Sequence, residues 1–310
     1  MQIVVKNLSY TYSEKSKALA VQALKGVSLT VNEGEFLGIV GHTGSGKSTF
    51  IQHLNGLIKV GKSCEELRVG DYNLTDKKCD LLGLRSKVGM VFQYPEYQLF
   101  AETVFEDVAF GLKNFFPSLS KEEVEKRVEE ALTVVGLDYQ AVKDKSPFEL
   151  SGGQKRRVAI AGVIVSKPEV LVLDEPVAGL DPAGKRDFLR LLHSLHSSFV
   201  KTIIIVSHDM NAVAENCSRV VVFCKGELVK EGTPQDVFDD ARLEGEWGLE
   251  LPLTERLKKA LKAVGVAVDG DLTVDGFIDA YARAKGLNNG AEKGAKECQC
   301  GQAGDGGDGK

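Results

Sequence analysis

Nine residues, Gly41 to Thr49, read GHTGSGKST, and their types suit the holding of a polyphosphate. Gly41, Gly44 and Gly46, with Thr43 and Ser45 between them, make a loop whose backbone N–H groups can cradle anionic oxygens. Lys47 brings positive charge toward a γ-phosphate, and Ser48, followed by Thr49, offers a hydroxyl for Mg²⁺. The stretch EVLVLDEP ends an apolar run in Asp174 and Glu175. The first carboxylate can hold the Mg²⁺ shell, and the second can take a proton from an attacking water or orient it. His208, closing TIIIVS in the triplet SHD, suits a γ-phosphate contact. Gln93, closing VGMVFQ, is placed to reach the metal or the water. Together these residues predict ATP hydrolysis with Mg²⁺ as cofactor.

FELSGGQKRR, from Phe148 to Arg157, has no obvious nucleophile, base or metal ligand. Ser151 and Gln154 fit a capping box. A helix start stripped of bulk at Gly152 and Gly153 also suits a phosphate, because free N–H groups and the positive end of the helix dipole favour an anion. One P-loop already serves one ATP, so a second phosphate-binding helix start calls for a second nucleotide. The simplest source is a second subunit. Two chains arranged head to tail would each offer Ser151, Gly153 and Gln154 to the other's γ-phosphate.

The elements that position these groups follow from hydrophobic pattern. FLGIV from Phe36, VGMVF from Val88, EVLVLD from Glu169 and TIIIVS from Thr202 are apolar on both faces and rich in β-branched residues. Such strands belong to a parallel sheet covered by helices. Phe50, Ile51, Leu54, Leu57 and Ile58 form one helical stripe after Lys47. Between the second and third strands, Thr103 with Glu106 and Ser120 with Glu123 fit capping boxes, and Val124, Val128, Ala131, Leu132 and Val135 form a stripe stopping at Gly136. The expectation is an α/β fold with a mostly parallel sheet core over residues 1–235, carrying a helical subdomain at about 100–165. A small C-terminal helical appendage should occupy 236–287, with Leu253, Leu257, Leu261 and Val264 on one amphipathic helix and Val274, Phe277, Ile278 and Tyr281 on another. Two such helices bury too little to fold alone and must pack on the core or on another chain. The glycine-rich segment 288–310 reads as a disordered tail, whose Cys298 and Cys300 are too few for a closed metal site.

Composition narrows the function classes. A formal net charge of −5 argues against general nucleic-acid binding. No apolar run approaches the roughly 18 residues of a membrane-spanning helix, and MQIVVKNLSY is not a signal peptide. The expected location is therefore the cytoplasm, or the cytoplasmic face of a membrane if a partner holds the chain there. Six scattered cysteines without a CxxC pair read as reduced thiols.

The P-loop, Gln93, LSGGQ, LDEP, AGLD and His208 occur in the order seen in ATP-binding cassette (ABC) ATPases, which residues 1–235 resemble. The resemblance implies that Tyr12, with Tyr10 as competitor, stacks on adenine and that Asp181 crosses a dimer interface. QHLNGL, VFQYPEYQLFAETVFEDVAFGLKNF and GLELPLTERLKKAL further resemble the ATPase of energy-coupling-factor (ECF) vitamin transporters, and GHTGSGKST with PEYQLF its second paralogue. IKVGKSCEELRVGDYN lacks the usual proline-containing turn, and Val177 stands where threonine is common; neither touches a catalytic position. The resemblance implies a peripheral subunit paired with a paralogous ABC ATPase. That pair would drive a transmembrane coupling protein and small substrate-binding membrane proteins that import vitamins or transition-metal ions. The ATPase homodimer of an ordinary importer is the alternative, and a cassette acting on DNA or ribosomes a more distant one. The aromatic stretch Tyr94–Phe100 would either meet the membrane subunit or, through Tyr97, Leu99 and Phe100, fill the helical subdomain's core.

Overall fold

Strands that are apolar on both faces need cover on both sides. The computed structural model, which describes residues 1–12, 20–61, 63–270 and 272–286, supplies it in two different layers. In chain order the elements are β1 (Ile3–Tyr12), β2 (Val21–Val31), β3 (Phe36–Val40), α1 (Lys47–Leu54), β4 (Glu66–Val69), β5 (Tyr72–Asn73), α2 (Leu81–Lys87) and β6 (Val88–Val91). There follow α3 (Val104–Phe115), α4 (Lys121–Val134), α5 (Tyr139–Val142), α6 (Gly152–Ile164), β7 (Val170–Asp174), α7 (Pro182–Ser198), β8 (Thr202–Val206) and α8 (Met210–Asn216). The chain then forms β9 (Arg219–Cys224), β10 (Glu227–Gly232), α9 (Pro234–Phe238), α10 (Arg242–Gly245), α11 (Leu253–Ala263) and α12 (Val274–Ala284).

The central sheet has the order β10-β9-β3-β8-β7-β6. Its inner strands run parallel, and β10 joins β9 antiparallel. Successive residues alternate between two cores, as the two-residue period of a strand requires. Leu171, Leu173, Ile203 and Ile205 face the helical layer of α3, α4, α6 and α7. Val170, Val172, Ile204 and Val206 face the other side. There the cover includes α1 and a second sheet, the antiparallel β2-β1-β4-β5. The parallel sheet was legible from sequence; the antiparallel one was not anticipated, because its strands alternate buried and exposed residues and look unremarkable.

Local chemistry fixes most helix ends. Ser120 and Glu123 form a full capping box on α4, whereas Thr103 accepts from the Glu106 N–H without the reciprocal bond. The helix after the P-loop is shorter than its apolar stripe suggests. It stops at Leu54, Gly56 follows at φ 68°, and Leu57 is 47% exposed. A left-handed glycine just past the last turn ends the run.

The C-terminal segment joins the helical-side core through Trp247, Leu249, Leu251 and Leu272. Both expected helices form, but α11 turns its polar side inward. Thr254 and Glu255 are buried, and the Thr254 hydroxyl donates to the Leu272 carbonyl at 3.0 Å. The stripe of Leu253, Leu257 and Val264 stays exposed, as do Val274 and Ile278 on α12. Of the two partners expected for these apolar faces, this chain's core or another chain, the core leaves Leu253, Leu257, Val264, Val274 and Ile278 uncovered among the described residues. Cys64, Cys79, Cys217 and Cys224 are unpaired; the tail with Cys298 and Cys300 lies outside the described residues.

Candidate functional site

At the carboxyl edge of the central sheet, β3 runs into Gly41–Gly46 and the loop opens α1 at Lys47. Gly46 caps the helix at φ 104° with no side-chain cap, and a Cβ there would fall 2.5 Å from the Ala23 carbonyl oxygen. Only glycine fits, and the helix keeps its N–H groups for something else. Lys47 is 8% exposed, and its ammonium donates to the carbonyls of Gly41 (2.6 Å) and His42 (3.0 Å). Burial lowers its pKa, opposed by the charges of Glu175 and Asp174. Thr43 and Gly44 are exposed at the loop tip, while the Ser45 hydroxyl is fully buried with no hydrogen-bond partner. An orphaned hydroxyl beside free helix N–H groups is what a cradle for an oxyanion leaves when considered alone.

Asp174 ends β7 and is 8% exposed. Burial raises its pKa, against a hydrogen bond from Ser48 and the charge of Lys47. The hydroxyl and carboxylate expected to share Mg²⁺ thus lie near enough to interact, and the donor set of two hard oxygens fits that ion. Glu175 holds a left-handed backbone at φ 50°, anchored by its N–H donating to the Val206 carbonyl at 2.9 Å. Its Oε2 lies 2.7 Å from His208 Nδ1 and accepts from the His208 N–H at 3.3 Å. A non-glycine residue in this region costs about 1–3 kcal/mol and marks a position that the surroundings over-determine. Gln93 is exposed just past β6, and Tyr94 after it is also left-handed, at φ 56°.

Tyr12 is 44% exposed, with its hydroxyl 3.2 Å from Thr49 Oγ1, while Tyr10 is half-buried with its ring centroid 4.9 Å from that of His53. Of the two rings Tyr12 is the more exposed beside the P-loop helix, packed edge-on against Tyr10 with centroids 4.9 Å apart. Asp181 is exposed and caps α7, accepting from the Gly184 N–H at 2.6 Å.

Ser151, Gly152, Gly153 and Gln154 are not part of this cluster. They start α6 in the helical layer, where Ser151 and Gln154 complete a capping box with each other. The cap reading is correct, yet it does not explain the glycines. A Cβ at Gly152 or Gly153 would meet nothing within 4 Å, although each glycine weakens a helix by about 0.5–1 kcal/mol relative to alanine. The aromatic segment divides residue by residue. Leu99 is a core residue at 6% exposure, while Tyr97 and Phe100 are 83% and 60% exposed.

Sequence reasoning missed Arg156, which is 5% exposed and joins α6 to Glu96 and to the carbonyls of Pro176 and Ala178. The available signal was its place on one helix face with Ile160 and Ile164, four and eight residues on, both fully buried.

The family described as ABC transporter matches residues 24–178. The energy-coupling factor transporter ATP-binding protein EcfA2 of Clostridium tetani is 46% identical over 272 residues, 88% of this chain and 93% of that protein. Its counterpart in Clostridioides difficile is 48% identical, over 88% of this chain and 93% of that protein. The chain belongs to the ABC transporter family. This ABC ATP-binding subunit hydrolyses ATP and is closely related to the EcfA2 proteins. Among solved structures it resembles cbiO1 of Clostridium perfringens, part of the ABC transporter complex cbiONQ, with a TM-score of 0.69, 36% identity, and coverage of 85% of this chain and 96% of that one. It also resembles an ATP-binding cassette solved as a dimer bound to ADP and Pi, with a TM-score of 0.65, 32% identity, and coverage of 75% and 98%. In this ABC subunit no helix among the described residues is long and apolar enough to cross a membrane.

Proposed function

We propose that the subunit works as one half of an ATPase pair with a paralogous cassette, each chain's P-loop being closed by the start of the other's α6. The observation that carries this is the open space around Gly152 and Gly153, which the chain's own packing neither fills nor requires. In this reading the backbone of Gly41–Gly46 and Lys47 hold the phosphates, and Tyr12 stacks on adenine. Ser151, Gly153 and Gln154 of one chain bind the γ-phosphate on the other, and Asp181 lies at the interface between them. Ser48, Asp174 and Gln93 would hold Mg²⁺, which supplies charge neutralisation at the phosphates. Glu175 takes the proton of the attacking water or orients it. His208 keeps that carboxylate in place and contacts the γ-phosphate when the pair closes. Each charge-assisted hydrogen bond to phosphate is worth about 1.5–3 kcal/mol, and about 5.5 kcal/mol swings a two-state equilibrium from 1:99 to 99:1. Two or three contacts per site therefore suffice to make closure depend on ATP.

The pair sits peripherally on the cytoplasmic face of a membrane and passes this cycle to a transmembrane coupling protein, which serves small substrate-binding membrane proteins importing vitamins or transition-metal ions. Supporting this is an open groove of about 310 Å³ lined by Leu57, Phe92, Gln98, Phe110 and Phe115. Phe100 packs edge-on against Phe110 beside it, with ring centroids 4.9 Å apart. Such exposed apolar surface marks an interface. Replacing Glu175→Gln should leave ATP binding intact, abolish turnover and trap a closed dimer visible by size-exclusion chromatography. Turnover at the parental rate would remove Glu175 from this role. Isolation from native membranes and mass spectrometry then tests the partners; a homodimer with one dedicated permease would instead mean an ordinary importer.

A further inference from the structure

Arginine is almost never fully buried unless paired, and Arg156 has one carboxylate partner. Its guanidinium bridges three segments. Nε donates to Glu96 Oε2 at 3.3 Å, Nη1 and Nη2 donate to the Ala178 carbonyl at 3.3 and 3.2 Å, and Nη1 also reaches the Pro176 carbonyl at 3.5 Å. Glu96 belongs to the 3-10 turn Pro95–Gln98, just past Gln93 and the left-handed Tyr94. Pro176 and Ala178 belong to the turn between Glu175 and Asp181, closed by the Ala178 N–H donating to the Glu175 carbonyl at 3.1 Å. The same two turns meet again where the Tyr94 ring lies 3.5 Å from the position of a Cβ on Gly179. The side chains of Arg156 and Glu96 are 6% and 20% exposed. A buried pair of this kind is weak as a source of stability, since apolar residues of similar volume commonly do as well. Its planar fork, however, fixes directions that apolar packing leaves free.

We propose that Arg156 is a positioning residue that ties the Pro95–Gln98 turn to the turn following Glu175, so that the carboxylate acting on water keeps its geometry only while Pro95–Gln98 is seated on α6. The inference rests on the reading of Glu175 given above. Pro95–Gln98 continues into the exposed Phe100 beside the apolar groove, so a partner that shifts this turn changes turnover through Arg156. ATP affinity is spared, because Lys47 and its loop belong to β3 and α1, which the guanidinium does not touch. Lysine cannot replace it, since one compact ammonium cannot serve Glu96 and two carbonyls with the same fork.

The test uses the full-length chain in the complex with which it co-purifies. It measures steady-state ATPase, binding of a fluorescent ATP analogue and thermal unfolding for Arg156→Lys, Glu96→Gln and the double variant. The expected result is a fall in kcat of about tenfold in each single variant with KM and analogue affinity within about twofold, and no further loss in the double variant. Glu96 reaches solvent, so Glu96→Gln folds even if Arg156→Lys does not. Parental kcat in Glu96→Gln overturns the proposal, as does a KM that rises in step with a falling kcat. Glu175→Gln is assayed alongside. If it is inactive while Glu96→Gln is unimpaired, only the role of Arg156 fails; if it turns over normally, the reading of Glu175 fails and the proposal with it.

Discussion

His53 shows how little freedom the residues under the P-loop have. It is fully buried on α1, its Nδ1 lies 2.7 Å from the Thr49 carbonyl oxygen, and its Nε2 has no partner. A second proton would sit on Nε2 with no acceptor, and burial accordingly lowers the pKa. The unfolded chain takes up that proton near pH 6.5, while the folded chain resists it to lower pH. The His53 contribution to stability is therefore full above about pH 7 and declines as pH falls below about 6.5, by up to ~1.4 kcal/mol per unit until the folded pKa is reached. Thermal unfolding at pH 7.5 and 5.5 checks this: His53→Phe should lose less of its midpoint on acidification than the parent. Equal losses would mean that carboxylates elsewhere carry the whole acid sensitivity.

At the scale of elements, α6 separates stability from function. Ala at positions 152 and 153 meets no clash and should strengthen the helix by about 0.5–1 kcal/mol each. Gly152→Ala and Gly153→Ala should therefore raise the unfolding midpoint while ATPase falls at least about tenfold; a variant both more stable and fully active would remove the phosphate from this helix start. The same helix shows what a sequence reveals. Ser151, Gln154 and the glycines are read from type and spacing because capping and anion binding are local. Arg156 is opaque because its partners lie 60, 20 and 22 residues away. Parallel strands such as β7 announce themselves through unbroken apolarity, whereas β1, β2, β4 and β5 do not. On α11 the periodicity gave the helix but left open whether its apolar stripe meets the core or another chain; Thr254 and Glu255 face this chain in hydrogen-bonded places that the pattern could not weigh.

For the whole molecule the question is which surface meets which neighbour. Tyr97 and Phe100 contribute little to the core, being 83% and 60% exposed, so changing both to serine should leave the unfolding midpoint within about 2 °C of the parent, as surface substitutions do. Co-purification of the membrane partner should be lost. Retained partner with a collapsed midpoint would place these rings in the fold instead. The separation of Lys47 from the α6 start has a genetic consequence. On the proposed pairing with a paralogue, a lesion at Lys47 disables the nucleotide that this chain carries, whereas a lesion at Gly153 disables the one carried by its neighbour. Two alleles of a single gene would thus silence different halves of the machine, and a functional difference between the halves would appear as a difference in phenotype between the alleles.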